Sequence, residues 1–380
     1  MRKQRKSNKN PYPIRTTQRF QIRYIIIFLL TTFVLFYAFI NLSSFAVDPH
    51  IATVESKQSS TFILTADSST HTMRHFNAIR NAGKRRALLG AIVGDAATMP
   101  LHWIYDKTQL SKSIISSDKT KPEFNRIPSC PFYNSNKFPG HYSLGQPSPY
   151  GEQLLAMYEI VQMGARDGDT YGFEFYSWLT TSYTGRKDGA GKIFENNYQN
   201  GLRYPECGAD DNQAMSLYKA TIAFSMDVEL EPLVKFHQNN ILAMDCADFL
   251  FLFLKEISTE STTSQKSMRS VFDDLKGKAP QTLQPHLFFL EDHLEKSTLE
   301  FLIAWGHNFQ YPSFESISCH NPQALLRVLH VCIRAESYVD GIRNNILVGG
   351  DNASTSIGIG AVLALYFDDI PNDWIQQIHL

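Results

Sequence analysis

Asn345-Ile346-Leu347-Val348-Gly349-Gly350-Asp351-Asn352-Ala353-Ser354-Thr355-Ser356-Ile357-Gly358-Ile359-Gly360-Ala361 is the stretch on which the fold reading turns. Gly349-Gly350 ends one apolar segment and lets the backbone turn sharply. Asn352 and Ser354, both helix-capping types, open the next segment, which small residues carry to about Tyr366. A helix start with free N–H groups beside a carboxylate can hold a phosphate or, through the carboxylate, a metal. The same pattern also describes an ordinary capped helix after a glycine turn, so this stretch alone leaves both readings open.

Working outward, Gly90-Ala91-Ile92-Val93-Gly94-Asp95-Ala96-Ala97-Thr98-Met99-Pro100-Leu101-His102-Trp103-Ile104-Tyr105-Asp106 has the same small-residue character. Residues 85–97 read as an apolar helix with glycines suited to tight packing. Residues 107–141 hold Pro122, Pro128, Pro131 and Pro139 and read as a long irregular loop. Helical spacing returns at 151–165, where Leu154, Leu155, Tyr158 and Val161 recur, and again at 171–181, 211–226 and 240–257. Residues 258–267 are a polar surface loop. Asn321-Pro322 reads as a cap and first-turn proline launching a helix over 323–335, and Trp374 packs the last short helix down. With no alternating strand series and no repeat period, the expectation is an all-α array of about ten or more helices.

The chain has 380 residues, 43% hydrophobic and 19% charged, with net charge −1. That allows a sizeable core and excludes the composition of a disordered chain. Near-neutral charge argues against nucleic acid as a partner, because phosphate binding needs a basic face. The one basic concentration is residues 1–23, ahead of an apolar run at 24–40 that reaches Val47 if Asn41-Leu42-Ser43-Ser44 is tolerated. Residues 24–47 are therefore expected to form a transmembrane signal-anchor, with the tail cytoplasmic and the folded part lumenal or extracellular. Secretion after signal cleavage following Ala46 is the alternative. Ser/Thr-rich residues 48–83 read as a linker to a domain at 84–380. Cys130, Cys207, Cys246, Cys319 and Cys332 have no metal-type spacing, and their odd number excludes a dense disulfide framework. One disulfide among Cys130, Cys207 and Cys319 is left open for a lumenal domain. The glycosylation sequon Asn352-Ala353-Ser354 falls at a helix start expected to be buried.

The helix Gly90-Ala91-Ile92-Val93-Gly94-Asp95-Ala96 near the domain start, with Gly349-Gly350-Asp351 and a small-residue helix near its end, resembles the ADP-ribosylglycohydrolase family. The wording of Leu101 to Asp106, Ser148-Pro149-Tyr150-Gly151-Glu152-Gln153, Ser318-Cys319-His320 and Gly349 to Ser354 is similar to its J-crystallin and selenoprotein J branch. The resemblance implies a compact orthogonal helical array. It also implies a site in which carboxylates distant in sequence hold two magnesium ions, and those ions position the ribose and a water.

Against that pattern the chain departs at several ligand positions. Gly145-Gln146-Pro147-Ser148-Pro149-Tyr150-Gly151 stands where the family reads Gly-x-x-Thr-Asp-Asp-Thr, so Pro149 and Tyr150 replace both aspartates. Gly349-Gly350-Asp351-Asn352-Ala353-Ser354 stands for Gly-Gly-Asp-Thr-Asp-Thr, keeping Asp351 but placing Ala353 at the second aspartate. His102 stands where many relatives carry a glutamate. Asp351 is the one metal-ligand candidate left, and no magnesium cofactor is expected to be required.

Acid–base candidates are Glu152, Asp351 and a His102–Asp106 pair formed if a helical turn continues between them. Ser148, Tyr150, Asn352, Ser354, Asp210 and Asp211 are the ligand-binding candidates. Asp210 and Asp211 serve equally well as helix N-terminal charge, and Trp103, Tyr105 and Tyr150 read as adenine-stacking or core aromatics. Asp95 reads as a backbone tether. Two functions follow. One is binding, with hydrolysis if the site is active, of a ribosyl glycosidic bond in ADP-ribose, an ADP-ribosylated protein or a related ligand. The other is a non-catalytic, crystallin-like structural or binding protein.

Overall fold

The computed structural model describes residues 76, 79–116, 121–125, 138, 141–258, 266–311 and 317–379, all within one unit spanning Phe62–Leu380. The basic tail, the expected membrane span at 24–47, most of the linker and Cys130 lie outside the described residues. No helix among the described residues is long and apolar enough to cross a membrane.

Helices dominate, and among the described residues extended pairing is confined to three isolated bridges. In chain order the helices are α1 (Ala82–Thr98), α2 (Lys107–Ser116), α3 (Pro149–Gln162), α4 (Gly168–Ser177) and α5 (Gly189–Gln199). Then come α6 (Met215–Met226), α7 (Leu230–Lys235), α8 (Ile241–Ser258), α9 (Met268–Lys276) and α10 (Gln284–Glu291). The last are α11 (Thr298–Asn308), α12 (Gln323–Arg334), α13 (Tyr338–Val348), α14 (Asn352–Phe367) and α15 (Asn372–Ile375). The all-α expectation holds.

The centre is α14, buried from Asn352 through Leu365 and laid along α1. Small residues make this contact possible. A Cβ on Gly90 would lie 2.3 Å from Ala364 Cβ and 2.4 Å from Gly360 O, and one on Gly360 would lie 2.2 Å from Gly90 O. The two backbones therefore touch, and the helices surrounding them pack larger apolar side chains against the pair. The glycine turn before α14 is present as read: Gly349 (φ 71°) and Gly350 (φ 64°) both occupy the left-handed region.

Three readings are corrected. Residues 107–116 form α2, because Leu110, Ile114 and Ile115 precede the proline-rich part of the segment and keep helical spacing. The helix expected over 211–226 starts only at Met215, since Ala209 bridges to Gln238 and Gln213 to His320. Asn321 does not cap α12: Pro322 occupies that position, and Asn321 Nδ2 instead donates to Ser216 Oγ at 3.1 Å.

The α1–α14 crossing gives a direct test by denaturant unfolding. Gly360→Ala should lower stability by about 1–3 kcal/mol through overpacking against the backbone of α1. Gly277→Ala, where nothing lies within 4 Å and φ is −75°, should leave stability unchanged or slightly raised.

Candidate functional site

Gly349-Gly350 delivers Asp351 to the floor of the fold at zero exposure. Arg327 of α12, also buried, fixes the turn from behind by donating to Asn345 Oδ1 (2.5 Å), Asn345 O (2.7 Å) and Gly349 O (3.0 Å). Lys107 adds bonds to Leu347 O (3.0 Å) and Val348 O, so cations satisfy the last carbonyls of α13. On the other side Gly350 pairs with Ile104 through Trp103 N–H to Gly350 O (2.9 Å) and Gly350 N–H to Ile104 O (2.8 Å).

That bridge sets the 102–106 turn and breaks the expected His102–Asp106 pair. Trp103 adopts φ 62°, so no helical turn links the two residues. Asp106 Oδ1 instead accepts from Gln109 N–H at 2.6 Å, at the start of α2. His102 turns inward, with Nε2 3.4 Å from Asp351 Oδ1.

Asp351 is surrounded by donors. Tyr150 Oη donates to Oδ2 at 3.0 Å, Trp103 Nε1 to Oδ2 at 3.2 Å, and Ser354 Oγ to Oδ1 at 2.7 Å. Burial alone would raise its pKa, but His102 and these donors outweigh burial and hold it below the usual carboxylate range. His102 itself is neutral, because burial lowers its pKa to about 4. The hydroxyl and indole donors therefore carry most of the stabilisation, with the buried Arg327 guanidinium acting through its field. Burial and the nearby Asp351 charge raise the Tyr150 pKa well above its ordinary value, so its hydroxyl stays a donor.

The helix N-terminus is occupied as well. Ala353 N–H donates to His102 Nδ1 at 3.1 Å, which leaves the imidazole proton on Nε2. Asn352 Oδ1, 3.2 Å from the same nitrogen, is then a contact rather than a hydrogen bond. Asn352 N–H donates to Gly350 O at 3.0 Å, and Asn352 Nδ2 to Leu101 O at 3.2 Å. The expectation of free N–H groups facing a phosphate is thus corrected: a neutral histidine caps α14. The sequon is buried, as expected.

The remaining candidates divide. Ser148 caps α3 through Tyr150 N–H (3.1 Å) and Gly151 N–H (3.4 Å), and donates Oγ–H to Asp95 Oδ1 at 2.6 Å. Asp95 also accepts Ser148 N–H at 2.7 Å, a tether across the fold rather than a local one. Its burial pushes its pKa up to about 7, with the charges of Glu152 and Asp351 adding to the rise. Glu152 does not join Asp351; its oxygens are held by His141, Tyr142 and Tyr183. Asp210 accepts from Asn240 Nδ2 (2.7 Å) and Asp211 from Gln213 N–H (2.7 Å), in the bridged loop rather than at a helix start. Cys207, Cys246, Cys319 and Cys332 are free thiols. The sequence reading missed His141, Tyr142, Tyr183 and Arg186; the Arg186 guanidinium lies 4.1 Å over the Trp103 ring. Trp103 itself, read as a stacking or core aromatic, is a donor to Asp351.

Residues 83–380 match the family described as ADP-ribosylglycohydrolase. The chain belongs to the ADP-ribosylglycohydrolase family. It is 25% identical to crystallin J1A of Tripedalia cystophora over 330 residues, covering 77% of this chain and 91% of that protein. Crystallin J1B of the same organism is 23% identical over 328 residues, with the same coverage. A solved structure described as an ADP-ribosylglycohydrolase-related protein complex shares the fold, with TM-score 0.52 at 15% identity over 79% of this chain and 94% of that one.

A hard cation wants several oxygen lone pairs, whereas three of the groups around Asp351 are N–H or O–H donors already directed at it. Among the described residues no group of three or more His, Cys, Asp or Glu side chains is arranged to hold a metal ion.

The pKa of His102, about 4 in the fold against 6.5 unfolded, sets a pH test. The depressed value means the stability it contributes is complete above pH 6.5 and is lost as pH falls towards 4, by about 3 kcal/mol. Asp95, raised from 3.8 to about 7, acts in the opposite sense over an overlapping window, so the slope of the whole protein does not isolate His102. The readout is therefore a difference. The stability deficit of His102→Gln against wild type should shrink by about 3 kcal/mol between about pH 7.5 and pH 4.

Proposed function

We propose that this chain is a family member without metal-dependent ribosyl hydrolysis, whose polar centre serves as buried structure in a crystallin-like scaffold. The observation that carries this reading is the 3.0 Å hydrogen bond from Tyr150 Oη to Asp351 Oδ2. Tyr150 stands where the family's first motif has an aspartate, and Asp351 is the aspartate kept in the second. The resemblance has these two positions converge on magnesium; here a phenol hydroxyl closes the gap between them. Capping of α14 by His102 supports the same reading, since it takes up the Ala353 N–H that a ligand phosphate would use. The likeness to J crystallins is compatible with a structural role and does not by itself select it.

Unfolding of the full chain tests this directly. A ligand at a hundredfold its dissociation constant stabilises the native state by about 2.7 kcal/mol, several degrees of Tm. Scans with excess magnesium, with chelator and with ADP-ribose should superimpose. A magnesium-dependent rise in Tm, or magnesium-dependent release of ADP-ribose from an ADP-ribosylated protein, would overturn the proposal.

A further inference from the structure

A second polar cluster lies outside the Asp351 network and has a different character. Glu152 Oε1 is 2.5 Å from His141 Nε2, and Glu152 Oε2 accepts from Tyr183 Oη (3.0 Å) and Tyr142 Oη (3.4 Å). On the far side of the imidazole, Nδ1 is 3.3 Å from Thr184 Oγ1. With the Glu152 carboxylate accepting Nε2–H, the Nδ1 lone pair is left to accept the Thr184 hydroxyl proton. The cluster reaches solvent, unlike Asp351: the His141 and Glu152 side chains are 24% and 18% exposed, and Thr184 is exposed.

The turn at Gly185 presses its backbone against this trio. A Cβ there would lie 2.7 Å from Tyr183 Oη and 2.8 Å from both Glu152 Oε2 and His141 Nε2, so only glycine permits the arrangement. Arg186 N–H is bonded to Tyr142 Oη at 2.9 Å, whereas the N–H groups of Thr184 and Gly185 donate to nothing among the described residues. A hydroxyl, a base within its reach, a carboxylate orienting that base, and spare N–H donors beside the hydroxyl are the parts of an acyl-transfer centre.

We propose that Thr184, His141 and Glu152 form a metal-free acyl-transfer centre acting on carboxylic esters. In the first half, Thr184 Oγ1 bonds to the ester carbonyl carbon as His141 Nδ1 takes its proton. The N–H groups of Thr184 and Gly185 are the donors available to the oxyanion. Collapse breaks the bond to the leaving alcohol, which departs with the proton from His141. Water then attacks the acyl-threonine, giving one proton to Nδ1, and that proton returns to Thr184 Oγ1 as the carboxylic acid leaves and then ionises to solvent. Thr184 and His141 are the catalytic residues. Glu152 is a positioning residue that fixes the tautomer and stabilises the imidazolium, itself held by Tyr142 and Tyr183. The inference is independent of the structural reading of Asp351.

The full chain, with chelator present, is assayed for hydrolysis of p-nitrophenyl acetate and for covalent labelling by a fluorophosphonate, read by peptide mass spectrometry. Wild type should carry the adduct on Thr184 and hydrolyse the ester. Thr184→Val, an exposed and nearly isosteric change, should lose the adduct and at least about a hundredfold in rate with unfolding unchanged. Gly185→Ala should lose the adduct without removing a functional group. The hydrogen bond to Glu152 raises the His141 pKa, with burial opposing, so activity falls as pH drops through a value above 6.5. Glu152→Gln should move that acid limb to lower pH, which a purely structural role would not do. No adduct on wild type, or equal rates in wild type and Thr184→Val, overturns the proposal. Neither result depends on magnesium or ADP-ribose, so failure here is distinguishable from failure of the structural reading.

Discussion

A carboxylate with no exposure to water must be met by donors or it will not stay buried, and Asp351 imposes that requirement on everything near it. An uncompensated buried charge costs several kcal/mol, while each hydrogen bond to a charged group returns about 1.5–3 kcal/mol. Tyr150, Trp103 and Ser354 together are enough to match the cost. They come from the first turn of α3, the 102–106 turn and the first turn of α14, so satisfying one side chain positions three segments. The left-handed backbone of Trp103 is intelligible on these terms. It is an unfavourable conformation held by the Gly350 bridge on one side and by the indole-to-carboxylate bond on the other.

Arg327 supplies the complementary charge. Its guanidinium is fully buried, yet all three of its hydrogen bonds go to Asn345 and Gly349, not to Asp351. It therefore neutralises two things at once: the buried carbonyls at the end of α13 through direct bonds, and Asp351 through space. Burial lowers its pKa to about 9, which still leaves it charged at neutral pH. The glycine turn, the helix end and the acid are thus one electrostatic unit. α14 can begin there only because Asn345 Nδ2 also reaches across to Asn352 O (2.8 Å) and Ser356 Oγ (2.7 Å).

The parts of this unit that depend on local chemistry were legible in the sequence. Gly349-Gly350 announces its turn because few other residues tolerate positive φ, and the small residues of α1 and α14 announce a close helix contact. The pairing of residues far apart in the chain was not legible. His102 was matched to Asp106, four positions on, when its partners lie some 250 positions away at Asp351 and Ala353. Asp210 and Asp211 read as charge at a helix start because nothing local signals that Ala209 and Gln213 bridge to other loops. The His141–Glu152–Thr184 cluster draws on two loops and a helix, none with a periodic pattern that would flag it. α2 is different: its apolar spacing was present, and the prolines that follow it concealed it.

Two carboxylates buried near each other pose a problem that the fold solves electrostatically. Like charges in a site of low dielectric repel one another, so keeping both ionised would raise the energy of the folded state. Tyr150 meets one of them with a hydroxyl donor, at Asp351 Oδ2. Asp351 and Asp95 remain close enough to influence each other, and their protonation divides accordingly. Asp351 is held ionised below the usual range by its surroundings, while at Asp95 burial outweighs the two bonds from Ser148 and raises the pKa to about 7. That split is how two buried carboxylates coexist. It makes the second carboxylate a neutral partner for much of the time near pH 7, and leaves one full negative charge for Tyr150, Trp103, Ser354 and Arg327 to balance.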